Sequence, residues 1–188
     1  MTDAVAGPDG LPRCPWGAGP PDYTAYHDAE WGRAVRGDDA LFERLCLEAF
    51  QSGLSWLTIL RRREGFRAAF AEFRIAEVAQ FGAADRARLL ADAGIIRNRA
   101  KIDAVLANAR VLDAWGPGEL DALVWSHAPG PRPAPARLAD VPASTAESAA
   151  LAGALKRRGL RFVGPITAYA LMQACGLVND HLADCAYR

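Results

Sequence analysis

The sequence predicts an all-α fold, and three observations carry that prediction. Apolar residues recur at helical spacing along most of the chain, with no convincing alternating strands. Glycine and proline punctuate the pattern at helix-length intervals, and polar residues able to cap helices open several of the segments. Apolar residues make up 51% of the 188 positions, which excludes a disordered chain and supplies one well-packed core.

Taken in order, MTDAVAGPDGLP (1–12) reads as a flexible tail, and 13–188 as a single domain. From Asp39 onward Leu41, Phe42, Leu45, Cys46 and Ala49 fall at helical spacing, with Asp38 or Asp39 as N-cap and Gly53 as the break. Ser55 caps the next helix, which runs through Trp56, Leu57, Ile59 and Leu60 into Arg61, Arg62 and Arg63. Further helices are expected at about 75–81, 85–93 and 97–115, separated by Gly82 and Gly94 and closed by Gly116-Pro117-Gly118. After a short segment at 119–126, PGPRPAPAR (129–137) can only be an extended loop. Ser144 and Glu147 form an S-x-x-E capping box for a helix that ends at Gly159. A tight link, LRFVG, leads to a last helix that starts at Pro165 and stops at Gly176, for about eight helices in all.

Lysine plus arginine (22) balances aspartate plus glutamate (22), so the molecule as a whole offers no strong field for a polyanion, and nucleic-acid binding would have to be local. Three basic clusters remain: Arg61 to Arg63; Arg97, Arg99 and Lys101; and Lys156, Arg157, Arg158 and Arg161. Their ordinary reading is a solvated helix face. No apolar run reaches the roughly 18 residues of a membrane span, and no leader pattern opens the chain, so a cytoplasmic protein without membrane contact is expected.

Of the four cysteines, Cys46 and Cys175 sit inside apolar helical patterns and read as core. Cys14 and His27 near the start, with His181 and Cys185 near the end, read most simply as one zinc site, because zinc favours four thiolate and imidazole ligands in a tetrahedron; the bland alternative is two small buried cysteines and two hydrogen-bonded scaffold histidines. In HLADC one turn of helix would set His181 and Cys185 on the same face, whereas a loop must bring Cys14 and His27 together.

Chemistry has two candidate seats. The helix, link, helix segment near the end starts its second helix at Gly164 with free backbone N–H groups, which attract phosphate, and the third basic cluster immediately precedes it. Such contacts hold a duplex but choose no base. Selection needs another site, and Glu48 in LCLEAFQSGLSW lies at the edge of its helix's apolar stripe. Its bland alternative is a rim pair with Arg44 one turn earlier. Trp16, Tyr23, Tyr26, Trp31 and Trp56 surround it in sequence, and aromatic faces beside a carboxylate are what a flipped nucleobase needs.

These stretches resemble the type I DNA-3-methyladenine glycosylases of the helix-hairpin-helix glycosylase superfamily: CPW (14–16), YTAYHDAEWG (23–32), LFERLCLEAFQSGLSW (41–56), DAGIIRNRAKI (92–102) and LKRRGLRFVGPITAYALMQACGLVNDH (155–181). The resemblance implies that fold, with Cys14, His27, His181 and Cys185 holding one structural zinc ion and Glu48 as the pocket carboxylate. It implies Tyr26 as a hydrogen-bonding partner of the base, Trp56 as stacking platform, Trp16 and Tyr23 in the wall, and Gly53 and Leu54 as a wedge into the duplex. Gly164, Lys156 and Arg161 would contact DNA. The implied activity is hydrolytic release of 3-methyladenine from double-stranded alkylated DNA by a monomer, without a lyase step, leaving an abasic site for downstream repair enzymes. Superfamily members place a catalytic aspartate near Asp180, but this family does not use it, so Asp180 is expected to be structural. The PGPRP segment and the short stretch after Cys185 depart from the family pattern, leaving the role of the loop at 127–140 open and the second shell of the zinc site thin.

Two rivals make different demands. A zinc-dependent nucleobase hydrolase carries H-x-E with P-C-x-x-C, whereas His27 opens H-D-A-E and the chain has no C-x-x-C. A non-catalytic helix-hairpin-helix module would have no use for Glu48 with its aromatic neighbours.

Overall fold

Helices account for nearly all the regular structure in the computed structural model, which describes residues 2–188. Among these residues the elements run β1 (Val5–Ala6), β2 (Pro12–Arg13), α1 (Pro21–Ala29), α2 (Asp38–Gln51), α3 (Trp56–Leu60), α4 (Arg63–Ala69), α5 (Ile75–Ala79), α6 (Ala83–Ala91), α7 (Arg99–Asp113), α8 (Glu119–Trp125), α9 (Ala146–Arg157) and α10 (Pro165–Ala174), with short 3-10 turns between. The all-α class holds, with ten helices rather than eight.

The centre is α2. Leu41, Phe42, Leu47 and Phe50 are all fully buried, and Leu45 and Cys46 nearly so, because α3, α8 and α10 pack around it. A ladder of rings extends that core: Phe50 lies 4.5 Å from Phe66, and Phe70 stacks on Phe73 at 5.5 Å. The end of α2 is as expected, with Gly53 at φ +82 and the Ser55 hydroxyl accepting the Thr58 N–H at 3.2 Å to start α3.

Its beginning differs. Asp38 and Asp39 are inside α2 and cap other helices instead. Asp38 accepts from the N–H groups of Gly118 (2.7 Å) and Asp121 (2.9 Å) at the head of α8, and Asp39 from Ile75 (2.9 Å) at the head of α5. Helix N-termini carry free donors, so the two carboxylates bolt α5 and α8 to the central helix. The capping box of α9 is also shifted by one residue: the Thr145 hydroxyl accepts from Ser148 N–H (3.2 Å) and the Ser148 hydroxyl from Thr145 N–H (2.9 Å), leaving Ser144 and Glu147 outside it.

The opening residues, expected to form a flexible tail, contain the β1–β2 hairpin. Asp9 in its turn pairs with Arg13 at 2.6 Å, and the Asp3 carboxylate accepts the Leu138 N–H at 2.9 Å. The segment that was expected to loop between Cys14 and His27 is a 3-10 turn at Pro15–Ala18 followed by α1. At the far end Gly176 (φ +71) closes α10 against residues 32–35; an added Cβ there would lie 2.6 Å from the Arg33 carbonyl carbon.

Candidate functional site

A cavity of about 320 Å³ opens beside the middle of α2. Helix α1 and the turn before it contribute Trp16, Tyr23 and Tyr26, α2 contributes Glu48 and Gln51, and α3 contributes Trp56. The far wall is Ala170 and Gln173 of α10 with Asp180. All five base-pocket positions expected from the sequence therefore meet. Trp16 lies 5.0 Å from Tyr23 and 4.9 Å from Trp31, and Tyr26 lies 5.2 Å from Trp56. Such a volume, lined by aromatic faces and polar groups in nearly equal measure, suits a small planar ligand that also hydrogen-bonds.

Sequence reasoning missed the roof. Leu138, from the loop whose role was open, and Val141, just beyond it, line the same cavity. Nothing in that proline-rich stretch signals a pocket residue, because its position depends on long-range ties. Ala183 N–H donates to Pro135 O at 2.8 Å, and Arg132 pairs with the buried Asp180. Asp180 also accepts from the Tyr169 hydroxyl (2.6 Å) and from Gln173 Nε2 (2.9 Å), so its carboxylate is fully engaged in holding loop and helix together.

Glu48 is only 5% exposed and does not form the rim pair with Arg44. Arg44 turns to Glu30 at 3.1 Å, where Arg63 joins it at 2.6 Å. Burial pushes the Glu48 carboxyl up to about 8, with the Arg44 charge pulling the other way. A cation entering the cavity would restore the ionised form. The Tyr26 hydroxyl is held well above its ordinary range by burial and by the Glu48 charge, so it remains a hydrogen-bond donor. The indole N–H of Trp56 is buried without a protein acceptor among the described residues.

Behind the aromatic wall, Cys14, His27, His181 and Cys185 are all buried, and their ligand atoms lie within 4.8 Å of one another. The sulfur to nitrogen separations are 3.4, 3.7 and 3.8 Å. A tetrahedron with zinc–sulfur and zinc–nitrogen bonds of ordinary length has such edges at about 3.6 Å, so the donor set fits a metal ion. His181 and Cys185 reach it from a turn, with Cys185 N–H bonded to Leu182 O at 2.9 Å, rather than from the helical turn expected. The outer shell is fuller than the short C-terminal stretch suggested. His27 Nδ1 meets Asp28 at 2.7 Å, Asp28 meets Arg13 at 2.8 Å, and His181 Nε2 meets Trp31 O at 3.1 Å. Each ring thus has its other nitrogen held, which aims the remaining one at the cluster. Gly17 allows the close approach: a Cβ there would sit 2.3 Å from the His27 ring.

The cluster and the cavity share a wall. Trp16 packs on His27 at 4.8 Å and Trp31 on His181 at 4.7 Å. On the opposite side a cleft of about 490 Å³ runs between Ser52, Gly53 and Leu54 and the head of α10 at Gly164, Pro165, Ile166 and Thr167. It shares Glu48, Gln51 and Ala170 with the cavity, so the two lie side by side. Leu54 (42%) and Ile166 (66%) are exposed there. Lys156 and Arg161 are exposed on the same hairpin without lining the cleft, whereas Arg158 is spent on Glu119 and stacks on Trp115 at 3.7 Å. The first cluster is spent too, on Asp22, Ala93 O and Glu30.

The methyladenine glycosylase family profile matches residues 16–188. The chain is 46% identical over 181 residues to DNA-3-methyladenine glycosylase 1 of Escherichia coli strain K12, covering 93% of this chain and 96% of that one. It superposes on a crystal structure of 3-methyladenine DNA glycosylase I with a TM-score of 0.88 at 46% identity, covering 93% of this chain and 98% of the other. A structure addressing 3-methyladenine recognition by the Staphylococcus aureus glycosylase gives a TM-score of 0.82 at 34% identity, over 93% and 95% of the two chains.

Proposed function

Because the chain belongs to the methyladenine glycosylase family, we infer that it is a base-excision repair enzyme that hydrolyses the N-glycosidic bond of 3-methyladenine in alkylated DNA. The observation that carries this reading to particular residues is the buried Glu48 carboxyl beside an aromatic cavity that adjoins a surface cleft. Incubating the protein with methylated duplex DNA and identifying the released base by chromatography tests it directly. Release of 3-methyladenine is expected, and its absence would overturn the activity.

In the mechanism we propose, the lesion leaves the duplex and enters the cavity. N3-methylation makes the adenine a cation, so the bond to deoxyribose is weakened and its electron pair returns to a ring that departs neutral. Water supplies the oxygen at the sugar carbon and loses a proton, leaving an abasic site. No strong general acid is needed. Trp56 stacks the cationic ring, an interaction worth up to about 2 kcal/mol when desolvated. Tyr26 donates to the base, Trp16 and Tyr23 close the wall, and Glu48 accepts the exocyclic N–H. The ring's positive charge favours ionised Glu48, whose negative charge then steadies the oxocarbenium-like sugar. Gly53 and Leu54 are the proposed wedge, and Gly164, Lys156 and Arg161 the phosphate-side contacts.

Free 3-methyladenine is expected to quench tryptophan fluorescence, and Trp56→Ala to weaken that binding about tenfold. Equal quenching in the variant would remove Trp56 as the platform. A non-catalytic hairpin module would show no quenching at all.

We assign Cys14, His27, His181 and Cys185 to one structural zinc ion, which when bound cross-links the two ends of the chain and, with four protein ligands, activates no water. Asp180 stays outside the chemistry. Asp180→Asn is expected to cost about 2–3 kcal/mol of stability by unbalancing Arg132, while single-turnover release stays within about tenfold of the unsubstituted enzyme. Loss by several orders of magnitude would return Asp180 to the mechanism. We propose a monomer acting on double-stranded DNA, with abasic-site repair enzymes downstream. No helix among the described residues is long and apolar enough to cross a membrane.

A further inference from the structure

Helix α7 carries two buried polar side chains that touch neither the cavity nor the metal cluster. Lys101 is 7% exposed and Asn108 4%. Lys101, part of a basic cluster whose ordinary reading is a solvated face, points inward and donates to Phe50 O at 2.9 Å and Ser52 O at 2.6 Å. These carbonyls bracket the end of α2, where helical carbonyls lack partners and the dipole favours a cation. The next residues are Gly53 and Leu54. Asn108 grips one whole residue of the hairpin link: its Nδ2 donates to Arg161 O at 3.0 Å, and its Oδ1 accepts Arg161 N–H at 2.8 Å. The next residue is Phe162, 44% exposed and held at φ +58, a conformation costly for a side chain of that size.

The two residues are two helical turns apart, so they share a face of α7 and stand roughly 10 Å from each other. The side-chain hydrogen bonds of both go to backbone groups: Lys101 holds the end of α2 just before Gly53 and Leu54, which line the cleft, and Asn108 holds the link that enters the opposite wall of that cleft at Gly164. We propose that Lys101 and Asn108 are positioning residues that fix the Leu54 loop and the hairpin link at one mutual spacing, so that both meet a single duplex together. The proposal rests on the reading that these two segments contact DNA. Two weak contacts on a rigid spacer bind far better than the same contacts free to shift. Lysine suits the first position because one ammonium satisfies two carbonyls, and asparagine suits the second because it matches a peptide group donor for acceptor.

The test uses Lys101→Met, Asn108→Leu and the double variant, with Lys101→Arg as the conservative replacement. Each is assayed for binding to a duplex with a stable abasic-site analogue, for 3-methyladenine quenching and for single-turnover release. Each single variant is expected to weaken duplex binding by about 10-fold or more and to raise the enzyme concentration needed for half-maximal release. Release at saturating enzyme and free-base quenching should change by less than about threefold, and the double variant should be little worse than either single one. Lys101→Arg should recover much of the duplex affinity. Unchanged duplex binding in folded single variants, or losses that simply add, would overturn the proposal. Should Lys101→Met fail to fold by circular dichroism, Asn108→Leu carries the same test. Absence of release by the unsubstituted protein would overturn the underlying activity instead, and is read in the same experiment.

Discussion

Glu48→Gln is expected to slow single-turnover release of 3-methyladenine by on the order of 10²–10³-fold, the usual loss when one preorganised electrostatic group is removed from a water-poor site. The amide keeps the shape and can still accept a hydrogen bond, but it cannot carry the charge that balances a cationic ring. The same substitution should make the protein more stable at alkaline pH. A carboxyl whose folded pKa is raised from 4.5 to about 8 favours folding fully below 4.5, and that contribution is lost as pH rises toward 8. The unsubstituted protein should therefore fall behind the glutamine variant across that window by roughly a few kcal/mol, reaching a constant difference above it. Thermal melts from pH 5 to pH 9 measure the divergence. Because kcat/KM reports groups of the free enzyme, activity per enzyme at subsaturating DNA should climb with pH through a midpoint of about 8 and level off above it, with no such limb in the variant. Undiminished release by Glu48→Gln would dismiss Glu48 from the mechanism, whatever the melts show.

The second large effect concerns the metal cluster. Stripping the ion with a chelator, or replacing Cys185 by alanine, is expected to cost on the order of 4 kcal/mol, or about 10 °C in Tm. Removing one thiol leaves three buried ligands with nothing to hold, and the His27 and His181 rings on which Trp16 and Trp31 pack lose their anchor. Stability and free-base binding should fall together, while the protein that remains folded at low temperature and binds base should break the glycosidic bond at an almost normal rate. Metal analysis should give one zinc per chain with only sulfur and nitrogen in its first shell. An oxygen ligand would point instead to a water-activating site.

Much of this arrangement is legible in the sequence, and the reasons are local. Helix α2 declares itself by apolar spacing and by Gly53, the last hairpin by Gly159, Pro165 and Gly176, and the cluster by residue types that are rare together. What stays hidden depends on distant partners. Helix α1 has no apolar stripe, since its buried residues include Tyr26 and His27 and its first residues are Pro21 and Asp22. Asp38 and Asp39 look like the caps of their own helix because nothing local says that α8 and α5 end against them. Arg132 meets Asp180 across 48 residues, and with it the loop brings Leu138 and Val141 over the cavity. Lys101 reads as one of three solvated cations until α2 is seen to end on it. The site residues were accessible because each is chemically unusual; their supports are ordinary residues in unusual places.

The separation of 167 residues between Cys14 and His181 also dictates an order of events. A contact that closes so long a loop is entropically costly until the intervening chain has condensed, so it forms late. During synthesis, α2 and its phenylalanine ladder can collapse while His181 and Cys185 are still to be made. Through that interval Trp16 and Trp31 lack half of their backing and remain open to unwanted partners. The wall shared by the cavity and the cluster is thus among the last parts of the molecule to be completed, because its backing rings come from both ends of the chain.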